Sequence, residues 1–117
     1  MSLSKKDLES LRHALESKRA EVVRAHDENI ALGTHSEEDN FADPMDAATR
    51  AEEEAERLGV ASQERNLLNE IDRALQKMKA GTYGVSEASG EAIPVARLRA
   101  IPWARLTAEE EELRARL

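Results

Sequence analysis

Cysteine is absent from the 117 residues. That excludes a disulfide framework, a thiolate metal site and a cysteine nucleophile. Aromatic residues are nearly absent: one Trp, one Tyr and one Phe make up 3% of the chain. A compact globule normally uses more, because rings fill much of a core. No run of 18 apolar residues occurs, so no segment reads as membrane-spanning. The start, MSLSKKDLESL, lacks the apolar centre of a secretory signal. These absences together read as a soluble cytoplasmic protein.

What the chain has is charge. Charged residues are 35% of it, and 24 acids against 17 bases leave a net charge of -7. That balance opposes broad nucleic-acid binding by phosphate neutralisation, while leaving room for a local basic patch. Ala, Glu, Leu and Arg dominate, the composition of long helices or a coiled coil.

Leu8, Leu11, Leu15, Lys18, Val22, Ala25, Asn29 and Leu32 follow alternating spacings of three and four. That is a heptad seam with two polar interruptions. It predicts a helix from about Ser4 to Leu32, with Ser4 and Asp7 at its start and Gly33 just past its end. Residues 34–42, THSEEDNFA, read as a turn, with Phe41 as a staple over it. Asp43 then suits an N-cap, Pro44 the first helical position and Asp46 the first turn. Apolar residues at Ala48, Ala51, Ala55 and Leu58 resume as Ala61, Leu68, Ile71, Leu75 and Met78. The apparent slip near Gly59 predicts an irregular seam. Gly81 ends this second helix.

Two long helices and a short loop predict an antiparallel hairpin over 1–81, its tip at about 33–47 and slender because the seam there is alanine. Its leucines gather at the base. Two helices bury little alone, so residues 82–117 are expected to pack there as a small second module, with Trp103 in the core. Thr107 with Glu110 forms a capping box for a C-terminal helix. Glutamates in its first turn and Arg114 and Arg116 near its end suit the helix dipole. No catalytic constellation stands out, so no enzyme is expected.

The stretch TYGVSEASGEAIP at 82–94 differs from its surroundings, with the single Tyr, two of the five Gly and two serines three apart. Three pieces in order then resemble the DksA/TraR family of bacterial RNA polymerase regulators. Asp43, Pro44, Asp46 and Ala48 meet a D-P-x-D-x-A tip pattern. Tyr83, Gly84 and Gly90 meet Y/F-G-x-C-x-x-C-G. Arg97, Leu98, Ala100 and Pro102 meet R-L-x-A-x-P. The resemblance covers nearly the whole chain. It implies a mainly α fold: a long coiled-coil hairpin with a small zinc-finger-like module. It implies a regulator that inserts the hairpin tip into the polymerase secondary channel without binding DNA or membrane.

The four cysteines that zinc-bearing relatives place in this module correspond here to Ser86, Ser89, Thr107 and Glu110. Hydroxyls are poor zinc ligands, so a metal-free module is expected. The basic positions that the resemblance links to the alarmone ppGpp correspond to Glu70, Ile101 and Glu111, and two acids would repel a polyphosphate. No cofactor is therefore expected. Asp43 and Asp46 read first as helix caps; the resemblance adds a role facing polymerase, where the small Ala48 permits close approach. Arg97, Arg99 and Arg105 form a candidate basic docking patch, with paired or solvated arginines as the plain reading. Two other functions compete: a Gre-like transcript-cleavage factor, and a plain coiled-coil dimer. A monomer is expected under the regulator reading.

Overall fold

Ser4 starts the first helix: its Oγ accepts the Asp7 N–H at 3.0 Å, satisfying one of the amides that a helix start leaves unpaired. The computed structural model describes residues 3–35 and 44–116. Helix α1 runs Lys5–His35 and α2 runs Pro44–Ala80. Two short helices follow, α3 over Val95–Ala100 and α4 over Ala108–Ala115. Among the described residues, β structure is confined to one antiparallel bridge, Val85 to Ala92. The fold is mainly α, a long helical hairpin followed by short elements. Helix α1 continues two residues past Gly33, where the sequence placed its end. Phe41 and Asp43 lie outside the described residues. No helix among the described residues is long and apolar enough to cross a membrane.

Two compact units divide the chain, Met1–Arg19 with Asn69–Leu117, and Ala20–Leu68. The base of the hairpin thus groups with the C-terminal residues. In the first unit, Leu15, Ile71 and Leu98 are fully buried. Burying each such side chain contributes about 1.5–3 kcal/mol. Leu11, Ile93 and Leu98 form a cluster, with Leu3, Met78, Tyr83 and Ala104 packed on it. The expected base packing is therefore present. Trp103 and Tyr83 are both half-buried, but Trp103 lines a cleft whereas Tyr83 packs on the aliphatic cluster, so Trp103 is not the core aromatic expected from the sequence. The Tyr83 hydroxyl donates to the Pro102 carbonyl at 2.8 Å, and burial pushes its pKa up to about 12.

Gly81, at φ +77°, ends α2. The Thr82 N–H donates to the Lys77 carbonyl at 2.9 Å and the Gly81 N–H to that of Met78 at 3.3 Å. This is a Schellman stop, which needs a left-handed residue. Gly84 is needed for a second reason as well. Its φ is +92°, and a Cβ there would sit 3.0 Å from Leu3 Cδ1.

In the second unit, α1 follows its predicted seam through Val22, Ala25 and Asn29. Helix α2 does not follow its own. Ala48, Ala51, Ala55 and Leu58 are exposed, while Arg50, Arg57 and Glu64 are half-buried and Ala61 is buried. The seam therefore runs without a slip through 57, 61, 64, 68, 71, 75 and 78. Arg57 and Glu64 hold seam positions because each finds a partner. Arg57 pairs with Glu54 at 3.4 Å. Glu64 Oε1 accepts Asn29 Nδ2–H at 2.9 Å and lies 3.3 Å from His26 Nδ1. Desolvated charges survive in a seam only when paired in this way.

Candidate functional site

Of the three tip residues, Asp46 and Ala48 are described and Asp43 is not. Asp46 lies in the first turn of α2, where the helix dipole favours a carboxylate. Its side chain and that of Ala48 are exposed, as is Met45. A charged group, a small residue and a flexible thioether thus face outward together at the start of α2.

The four positions that the resemblance matches to zinc ligands all lie in the first unit. Ser86 is buried at 3% exposure, and its Oγ accepts the N–H of Ala88 at 3.1 Å and of Ser89 at 3.3 Å. Gly90, at φ +76°, lets the chain turn back, so Ser86 N–H reaches the Glu91 carbonyl at 2.8 Å. Thr107 and Glu110 cap α4 reciprocally. Thr107 N–H donates to Glu110 Oε1 at 2.9 Å, and Glu110 N–H to Thr107 Oγ1 at 3.3 Å. Polar groups of Ser86 first, then the amide and hydroxyl of Thr107, hold the Glu110 carboxyl at about 2, well below the ordinary 4.5. Three hydroxyls and an already engaged carboxylate do not fit zinc. Among the described residues no group of three or more His, Asp or Glu is placed to hold a metal.

Sequence reasoning missed a second anchor beside the first. Glu87 accepts a two-pronged bond from Arg73, at 2.9 Å from Nε and 2.8 Å from Nη2. Arg105 Nε donates to it at 3.0 Å, and Lys77 also binds it. Partial burial pushes its pKa up, but the hydrogen bonds from Lys77, Arg105 and Arg73 prevail and hold it at about 2. The Glu87 N–H donates to the Arg105 carbonyl at 2.9 Å as well. The available signal was weak: one acid between the two former ligands, with cations on one face of α2 at Arg73 and Lys77.

The three candidate docking arginines separate. Arg105 is drawn to Glu87, and Arg97 Nε donates to the Leu106 carbonyl at 3.0 Å. Arg99 is exposed and reaches Asp7 at 3.5 Å. Arg97 and Arg105 do share a cleft of about 220 Å³ with Trp103 and Arg114. Glu70, Ile101 and Glu111 line the same cleft, so the three positions tied to alarmone response lie together. Both glutamates act on Arg105 and help raise its pKa, after the larger effect of Glu87.

Residues 7–78 match the family described as DnaK suppressor protein DksA, N-terminal domain. The chain is 32% identical over 110 residues to the RNA polymerase-binding transcription factor DksA of Caulobacter vibrioides, covering 94% of this chain and 77% of that one. It is 59% identical over 44 residues to General stress protein 16O of Bacillus subtilis, covering 38% of this chain and only 27% of that relative. The chain thus spans well under two thirds of that relative's length. Its fold is similar to the solved transcription factor DksA2 from Pseudomonas aeruginosa, with a TM-score of 0.79 and 27% identity over 97% of this chain and 86% of that one.

Proposed function

The chain belongs to the DksA family, and from that premise we propose that it is a transcription regulator that binds RNA polymerase directly. It acts as a binding protein rather than an enzyme, without gripping DNA. The hairpin enters the secondary channel of polymerase, and its tip, with Asp46 and Ala48 facing outward, modulates initiation near the catalytic centre. The observation that carries this reading is the family match over residues 7–78, which includes both long helices up to Met78. Charge supports it. Between Ala20 and Leu68 the sequence holds thirteen acidic residues and four basic ones, a distribution that repels nucleic-acid phosphates.

The C-terminal module works without zinc in this proposal, since three hydroxyls and a carboxylate already bonded to the Thr107 amide are poor zinc ligands. Direct control by ppGpp is absent, because Glu70 and Glu111 line the cleft that would have to accept its phosphates. The protein acts as a monomer.

The test is capture of the full-length chain on core RNA polymerase, followed by transcription from a ribosomal promoter. Binding is expected, with an altered transcript yield that Asp46→Asn/Ala48→Thr abolishes while binding persists. Absence of binding overturns the proposal, and a full effect from the double variant overturns the role of the tip.

A further inference from the structure

Two large aliphatic side chains stand exposed in the second unit, Ile30 at 52% and Leu58 at 59%. Their placement follows from the seam. Counting about 100° per residue, Ile30 lies about 80° round α1 from the buried Val22. Leu58 lies about 60° round α2 from the buried Ala61, in the same rotational sense. In an antiparallel pair, equal senses bring both residues to one side of the hairpin. The level also agrees. Glu64 bonds to both His26 and Asn29, so Ile30 sits beside α2 near position 61, about one turn from Leu58. Val60 is also exposed, but on the opposite flank, about 100° back from Ala61.

Exposed Asp27 and Glu54 border the Ile30–Leu58 pair. Arg57, next to Leu58 in sequence, is turned to the seam and bound to Glu54. Among the described residues, exposed Arg65 is the one base on this flank of α2 near the pair, about two turns from Leu58 and one turn from the level of Ile30. The surrounding unit carries thirteen acids against four bases. A second copy of the same acidic surface would be repelled here. We infer that Ile30 and Leu58 form a docking patch for a protein surface with an apolar centre and a basic rim. The inference rests on the polymerase-binding reading and assigns this side of the hairpin to the channel wall. Aliphatic contact supplies the grip, and the acids supply steering and register.

The experiment is an anisotropy titration of labelled full-length chain with core RNA polymerase at low and moderate salt. Ile30→Ser/Leu58→Ser is expected to weaken binding about tenfold or more with unchanged helical circular dichroism, in keeping with a hot-spot pair. Val60→Ser on the opposite flank is expected to bind like the parent. Asp27→Lys/Glu54→Lys, which keeps the aliphatic pair, is expected to weaken binding several-fold and flatten its salt dependence. If the parent fails to bind, the polymerase reading and the patch both fall. If the parent binds and Ile30→Ser/Leu58→Ser binds equally well, the patch alone falls. A parental dimer that the same double variant dissociates assigns the patch to self-association and overturns the inference, as does tighter binding by the charge-reversed variant.

Discussion

Thr107 and Glu110 hold each other at the start of α4: the Thr107 N–H donates to Glu110 Oε1 at 2.9 Å, and the Glu110 N–H donates to Thr107 Oγ1 at 3.3 Å. Two of the four positions that the resemblance matches to zinc ligands are thus engaged with each other in a helix cap.

A chelator should therefore leave the fold intact. Purified protein is expected to contain no stoichiometric zinc by elemental analysis, and its melting temperature to be the same with and without EDTA. A drop of several degrees on chelation would show that the hydroxyl and carboxylate set takes a metal after all.

Ser86→Ala removes a buried acceptor of two backbone amides. Unmet buried amides cost about 1–3 kcal/mol. Thr107→Ala breaks one half of the capping box and should cost about 1 kcal/mol. Urea denaturation of each variant measures both. Ser86→Ala within experimental error of the parent would mean that the cluster contributes little.

Acid should loosen the first unit. Glu87 and Glu110 are each held at about 2, against an ordinary value of 4.5. A depressed carboxylate stabilises the fold fully above its unfolded value, and that contribution disappears as pH falls through the folded one. Stability should be level from pH 7 to about 5 and decline between about 4.5 and 2. Glu87→Gln/Glu110→Gln should flatten that decline in a series of denaturation curves; an equally steep decline in the variant would place its cause elsewhere.

The polar seam positions are also testable. Glu64→Ala leaves Asn29 without the acceptor it uses here and should destabilise by about 1–2 kcal/mol. Replacing both residues, Asn29→Leu/Glu64→Leu, should raise the melting temperature, because well-packed apolar groups often outperform buried polar pairs. A double variant less stable than Glu64→Ala would show that the pair does more than satisfy itself.

The legible parts of the sequence were those with local causes. The α1 seam from Leu8 to Asn29, the Ser4 cap, the Gly81 stop and the Thr107–Glu110 box each depend on residues within a few turns. The α2 seam was misread because apolar counting passed over Arg57 and Glu64, whose fitness for the seam depends on partners. Leu58 looked like seam for the same reason. Helix α3 went unassigned, since six residues starting just after Pro94 give too short a period. The Glu87 anchor was hidden because three cations from distant positions converge on it, and pairing over such distances leaves no periodic trace. Ser86, Ser89, Thr107 and Glu110 are grouped through family resemblance; that Ser86 is buried as the acceptor of two backbone amides is visible only in three dimensions.

The chemistry of that corner bears on oxidants as much as on metals. A thiolate cluster is attacked by peroxide, which releases its ion and unravels the fold. Hydroxyls and a carboxylate offer peroxide no such target. In the described residues the oxidisable sulfurs are those of Met45, which is 78% exposed, and Met78, which packs on the core. Mass spectrometry after mild peroxide treatment should find oxygen added first at Met45, with helical content unchanged. Oxidative damage would then register at the start of α2, beside Asp46, before it reached the core.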